Sequence, residues 1–149
     1  MEVALATCVR RIVGIDIAPA MVEEARLRCA GLLNVEIRKA SGRDLAGFAD
    51  AGFDLVLGVD CFPYMVQAGE DLAQTMIGEA ARVLRPGGRL VILNYSYRGE
   101  LDLDLADLHS FAAAAGLEMV RDGTSEFTLW DAAAFELVKL EPSLVHGSM

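Results

Sequence analysis

The stretch Arg11-Ile-Val-Gly-Ile-Asp16-Ile17-Ala-Pro19-Ala-Met21 constrains the chain more than any other. Ile12, Val13 and Ile15 form a run too short for a helix and rich in β-branched residues, which suits a strand buried on both faces of a parallel sheet. Pro19 fits the first turn of a helix, so the run ends in one acid, Asp16, and opens directly into helix. In open α/β sheets ligands bind outside the carboxyl ends of the strands, and an acid there can accept hydrogen bonds from the ribose hydroxyls of a nucleoside. A second reading of Asp16 stays open beside this one, in which it only satisfies N–H groups at the start of the next helix.

The rest of the chain repeats the alternation of strand and helix. Val3 to Val9, followed by Arg10 and Arg11, reads as a helix end with a cationic finish. After Pro19, the residues Met21, Ala25, Cys29 and Leu32 share an apolar face, Glu24 can pair with Arg28, and Gly31 is placed to end the helix in a left-handed conformation. Val35 and Ile37 alternate with charged residues as a second strand, and Phe53 to Val59 is a third that ends at Asp60-Cys61-Phe62-Pro63-Tyr64. Leu72, Met76, Ala80 and Val83 mark a helix stopped by Pro86-Gly87-Gly88, before a strand at Leu90 to Leu93 and a loop at Asn94 to Gly99. Asp102 and Asp104 favour a helix start, Leu105, Leu108, Phe111, Ala112 and Ala115 form its buried face, and Gly116 ends it. His109 beside that face reads as a surface or boundary residue. Leu117 to Arg121, the Asp122-Gly123 turn, the run containing Phe127, Leu129 and Trp130, and Ala134 to Leu140 read as an antiparallel pair. The expected fold is therefore α/β, a doubly wound, mostly parallel sheet closed by a C-terminal antiparallel strand pair. One domain is expected over residues 1–141, with a flexible tail over 142–149.

Composition bears mainly on what the chain does not do. Cys8, Cys29 and Cys61 are scattered without a Cys-x-x-Cys pair, and His109 and His146 are far apart, which argues against a disulfide framework or a metal site. A net charge of −9 opposes binding to a phosphate backbone, so nucleic acid is not an expected partner. No run approaches the ~18 apolar residues of a membrane span, and the first residues lack the pattern of a signal peptide. A cytoplasmic protein is expected, with a small molecule as its partner.

Three segments together carry a family resemblance. Ile12 to Met21, Phe53-Asp-Leu-Val-Leu57, and Ala81-Arg-Val-Leu-Arg-Pro-Gly-Gly-Arg-Leu-Val-Ile92 resemble the class I S-adenosylmethionine-dependent methyltransferases, in the order and spacing of that family. The resemblance covers roughly residues 3 to 140 and implies a Rossmann-like fold, with S-adenosylmethionine as cofactor. It further implies that Asp16 binds the ribose, that Ile17 packs on the adenine with Met21 nearby, and that Ser41, Gly42 and Arg43 border the adenine. Many relatives place an Asp where this chain has Ser41. Asp60 and Cys61 would face the methionine portion of the cofactor, with Asp60 or Tyr64 as base or substrate positioner. Tyr64, Tyr95 and Tyr97 would line the acceptor pocket, although Tyr95 and Tyr97 are equally readable as packing over the sheet.

One part of the family pattern is missing. The Gly-x-Gly-x-Gly turn that brings backbone N–H groups to the methionine end of the cofactor occurs nowhere in the chain. Residues 3 to 11 match the tail of the helix that follows that turn, so the expectation is a methyltransferase fold truncated at its N-terminus and lacking its first, central strand, with impaired activity. Two other functions stand beside methyl transfer. One is a non-catalytic binding module that kept the sheet; the other, less favoured, is a nicotinamide-dependent oxidoreductase, whose fold also sets an acid on a ribose. A sheet without its central strand leaves two apolar strand edges unpaired, from which a homo-oligomer is expected.

Overall fold

The computed structural model describes residues 1–125 and 133–142. Phe127, Leu129 and Trp130, and the tail from 143 onward, lie outside the described residues. The chain forms two compact units, Met1–Asp44 and a second from Leu45 onward.

In the first unit the short helix α1 (Glu2–Leu5) precedes β1 (Ile12–Asp16), α2 (Pro19–Cys29) and β2 (Val35–Lys39). Strands β1 and β2 pair in parallel, from Ile12 opposite Val35 to Asp16 opposite Lys39. Gly14 lies at the middle of β1, where a Cβ would come within 2.8 Å of the Glu2 carboxylate and the Ile37 Cδ1, so those two side-chain ends would have to move aside. Val22 and Cys29 of α2 pack with Ile37 of β2 into a small core, flanked by Ala25 and Leu32.

Three details of this unit correct the sequence reading. The buried face of α2 runs through Val22 rather than Met21, which is 55% exposed. Ala25, Cys29 and Leu32 keep the expected face, and the exposed Arg26 donates its Nε–H to the Ile37 carbonyl at 3.2 Å. Gly31 does not take the left-handed conformation; Ala30 caps α2 in a right-handed one and the chain leaves through tight turns, Ala30 N–H to Leu27 O and Leu32 N–H to Cys29 O. Helix α1 ends at Leu5, with no basic residue in its last turn, and Arg11 instead pairs with Glu36 of β2 at 2.9 Å. The expected Glu24–Arg28 pair is present at 2.8 Å.

The second unit contains β3 (Phe53–Val59), α3 (Phe62–Ala68), α4 (Glu70–Val83), β4 (Leu84–Leu93), α5 (Leu101–Ala115), β5 (Leu117–Thr124) and β6 (Ala134–Lys139). Its sheet has the order β3-β4-β6-β5, with β3 parallel to β4 and the C-terminal pair antiparallel, β6 lying between β4 and β5. The α/β class and the terminal antiparallel pair are thus as the sequence predicts. Leu84, Leu90 and Ile92 of β4, Phe135 and Leu137 of β6, Ile77 of α4 and Leu108 of α5 are fully enclosed in one core. Gly116 ends α5 in the left-handed region, φ 69°, and His109 is exposed, both as expected.

Pro86-Gly87-Gly88 does not separate helix from strand. It forms an irregularity inside β4, so that Phe53 opposes Leu84 while Leu55 opposes Arg89. Gly87 has φ +73°, and a Cβ on Gly88 would lie 2.8 Å from the Arg85 carbonyl oxygen. Helix α3, with Pro63 in its first turn, occupies a segment read from sequence as a strand end.

The loop at 45–51 is anchored to α4 by a polar hub. Arg82 donates to the carbonyls of Leu45 and Phe48 and to the carboxylates of Glu79 and Asp50, while Glu79 accepts from the Leu45 N–H at 2.8 Å. The hydrogen bond from Arg82 holds the Glu79 carboxyl below the ordinary range against the opposing effect of burial, and the Leu45 N–H adds to it. No helix among the described residues is long and apolar enough to cross a membrane.

Candidate functional site

Asp16 ends β1, where the strand's last residue hands the chain to α2. Its Oδ1 accepts the N–H of Ala18, the N-cap of α2, at 2.8 Å. The helix-start role is therefore real, but it occupies one carboxylate oxygen; no other hydrogen bond to this carboxylate is present among the described residues. Beside it Ile17 is 62% exposed, and Met21 is exposed one turn into α2. Gly42, at φ +75°, approaches Ile17 so closely that a Cβ would sit 2.8 Å from its Cγ2. The same loop is held by Ser41, whose Oγ accepts the Arg43 N–H at 3.1 Å and donates to Asp44 at 3.3 Å. Part of the hydrogen-bonding capacity of Ser41 is thus spent on its own turn, while Arg43 is exposed.

In the second unit, Asp60 stands at the carboxyl end of β3 and Asn94 directly after β4. These are parallel neighbours, and the Asp60 N–H donates to the Leu93 carbonyl at 3.0 Å. Both residues adopt left-handed backbone, φ 53° and 67°, a conformation costly for residues with a Cβ and often found at binding or catalytic positions. Asn94 donates its Nδ2–H to Asp60 Oδ1 at 2.6 Å, and the Tyr97 hydroxyl donates to the same oxygen at 3.0 Å. Hydrogen bonding to the Asp60 carboxylate, with some desolvation, pushes the Tyr97 phenol up to about 12, so Tyr97 is a protonated donor at neutral pH. Tyr64, on α3 and 64% exposed, meets Tyr97 edge to face at 6.1 Å. Cys61, between Asp60 and α3, is half-buried; Gly58 leaves room for it and for Phe62, since a Cβ there would lie 2.9 Å from the Phe62 ring.

Of the residues singled out from sequence on this unit, Asp60, Tyr64 and Tyr97 come together, with Cys61 adjacent in the chain. Tyr95 does not join them. It is 1% exposed and lies between Phe62 and Phe135 in the core, the packing role rather than the pocket role. Two features escaped the sequence reading. Asn94 looked like a loop residue, and only the pairing of β3 with β4 brings it to Asp60. Asp104 lies in the first turn of α5 as expected, and it is also a buried partner: Arg98 donates to it at 2.6 Å and to Asp107 at 2.7 Å, and Ser96 donates to it at 2.7 Å. This network ties the loop at 94–99 to α5. An arginine beside a loop glycine, with acids at i and i+3 on the next helix, is the pattern that signals it.

Residues 1–92 match the family model described as a methyltransferase domain. The chain is similar to the demethylmenaquinone methyltransferase of Tropheryma whipplei (strain Twist), 41% identical over 86 residues, which is 58% of this chain and 33% of that protein. It spans about a third of the length of the curated relatives it matches. Among solved structures it resembles a SAM-dependent methyltransferase from Methanosarcina mazei, with TM-score 0.72 and 16% identity over 95% of this chain and 88% of that one. It also resembles the magnesium protoporphyrin IX methyltransferase of Synechocystis with bound SAM, with TM-score 0.69 and 20% identity over 93% of this chain and 64% of that one. At such identities these structures speak to the fold alone.

Proposed function

The chain belongs to the methyltransferase domain family, and from that premise we propose that it serves S-adenosylmethionine-dependent methyl transfer to a small-molecule acceptor. The observation that carries this reading is the half-engaged carboxylate of Asp16 beside an exposed apolar ledge. With Oδ1 fixed by the Ala18 N–H, the second oxygen is held ready for a ribose hydroxyl. Ile17 and Met21 offer apolar surface to a purine ring, and the missing Cβ of Gly42 lets the loop of Ser41 and Arg43 border it. The residues of this unit fit the adenosine part of the cofactor.

When bound, S-adenosylmethionine supplies a methyl group on a sulfonium centre, whose transfer depends on alignment of the acceptor and exclusion of water. The second unit's share is to bind and orient the acceptor. Asp60 accepts its proton or holds its polar group, and Tyr64 and Tyr97 flank it with ring surface. A net charge of −9 favours a small acceptor over nucleic acid.

The lack of a Gly-x-Gly-x-Gly turn in this sequence supports weak cofactor binding by the chain as it stands, and with it impaired transfer. Calorimetric titration with S-adenosylmethionine tests the reading: micromolar or weaker binding is expected, and Asp16→Ala should weaken it by about 1–3 kcal/mol, the range for a charge-assisted hydrogen bond. Unchanged affinity in that variant would leave Asp16 as a helix-start residue only. Submicromolar binding by the unaltered chain would mean that the glycine turn is dispensable here.

A further inference from the structure

The hydrogen bonds around Asp60 are distributed unevenly. Both donors, Asn94 Nδ2 and the Tyr97 hydroxyl, converge on Oδ1, and no hydrogen bond to Oδ2 is present among the described residues. A lone exposed carboxylate on a left-handed residue would sample several orientations; two donors arriving from the same neighbouring segment select one. We propose that Asn94 is a positioning residue which, together with Tyr97, locks the Asp60 carboxylate so that Oδ2 faces out as the acceptor for an O–H or N–H group of the bound molecule. This rests on the placing of Asp60 on the acceptor side, and it deepens that reading by naming the chemistry recognised: a hydrogen-bond donor on the methyl acceptor.

The segment carrying both donors is itself held. Arg98 binds Asp104 and Asp107 and lies over the Tyr95 ring at 5.9 Å from its centroid, and Tyr95 is enclosed in the core. The loop is thus fixed on the residues flanking Tyr97, so that its hydroxyl and the Asn94 amide are presented together. Asn tolerates the left-handed conformation at 94 better than most residues and supplies a donor as well. Ser shares neither property fully, and Gly shares only the first.

The clamp is read through Tyr97. Stopped-flow pH jumps on the full chain follow phenolate absorbance before alkaline unfolding, and the difference from Tyr97→Phe isolates this residue from the other tyrosines. In the unaltered chain the Tyr97 step should lie near 12. Asn94→Gly keeps the backbone conformation and deletes the donor, so the carboxylate is released and the step should fall toward the ordinary value, a loss of about tenfold or more in proton affinity. Asp60→Asn calibrates full loss of the carboxylate's effect on Tyr97. A step that stays near 12 in Asn94→Gly while Asp60→Asn moves it would overturn the positioning role.

The recognition half is read by NMR on the Asn94 side-chain amide. Phenol as an O–H donor and aniline as an N–H donor are titrated against anisole, which has no donor. Saturable shifts with phenol, with aniline, or with both, and none with anisole, are expected, and which of the two acts identifies the donor class. Equal shifts with all three, or none, would overturn it. None of these measurements uses S-adenosylmethionine, so an intact clamp in a chain that fails to bind the cofactor would count against the proposed function and not against the clamp.

Discussion

At the scale of single residues, Glu79 is the titrating group that most directly reports on the fold. Its folded pKa is lowered, chiefly by the Arg82 hydrogen bond, so the unfolded chain takes up the proton first as pH falls. The stabilisation is therefore fully present above the ordinary carboxylate value of about 4.3, and it is lost as pH drops through the lower folded value. Glu79→Gln should reduce the melting temperature by roughly 2–4 °C at neutral pH, what about 1 kcal/mol does in a chain of this size. The gap should persist to about pH 5 and close at more acid pH, as followed by circular dichroism melts. A gap that widens on acidification would contradict the sign. This hub was not legible in the sequence, because the partners of Arg82 at Leu45, Phe48 and Asp50 lie more than 30 positions away and are brought to it only by the fold. The helix-start role of Asp16 was legible because it is local, with the strand, the acid and Pro19 within a few residues. Met21 misled because Met21 and Val22 are adjacent apolar residues, and either one continues a face through Ala25 and Cys29.

At the scale of elements, two glycines of the second unit separate backbone crowding from backbone freedom. Gly88 sits in the irregularity of β4, where a Cβ would press on the carbonyl oxygens of Arg85 at 2.8 Å and Asp54 at 3.2 Å, atoms that cannot swing away. Gly88→Ala should cost about 1–3 kcal/mol, as overpacking does. Gly78 lies exposed within α4 with nothing within 4 Å of its missing Cβ, so Gly78→Ala should stabilise by about 0.5–1 kcal/mol through helix propensity. Urea denaturation of both variants checks the pair, and effects of the same sign would contradict the distinction. Periodicity found α4 and α5, which each bury a regular face, and short apolar runs found β1 and β3, although Ile15, Leu55 and Val59 on them are exposed rather than buried on both faces. It missed α3, whose seven residues span barely two turns around Pro63, and it took Pro86-Gly87-Gly88 for a boundary because a strand bulge and a turn demand the same residues. The Asp60–Asn94 contact was beyond its reach for a different reason: it depends on strand pairing between residues 34 positions apart.

At the scale of the whole molecule, the open strand edges compete with the net charge. Among the described residues β1 pairs only with β2, and β3 pairs only with β4, so each strand carries one row of backbone groups without a ladder. Both are apolar, and Ile15 on β1 and Leu55 and Val59 on β3 are among the exposed large hydrophobic residues. Edges of this kind favour strand addition, and a second copy of the chain offers strands of the same pattern. A charge of −9 on each copy acts in the opposite direction, and that repulsion is screened within about 10 Å at 0.1 M salt while hydrogen bonds and apolar contacts are not. We therefore propose a homo-oligomer whose association strengthens as salt is raised from low to moderate ionic strength, the reverse of an assembly held by ion pairs. Light scattering across protein concentration at two ionic strengths reads this directly, and Leu55→Lys, which puts a charge on the β3 edge, should shift the population toward monomer. A cooperatively unfolding monomer at high concentration in both salts would defeat the oligomer, whereas an oligomer that dissociates as salt is added would show that charge pairing, not the strand edges, joins the copies.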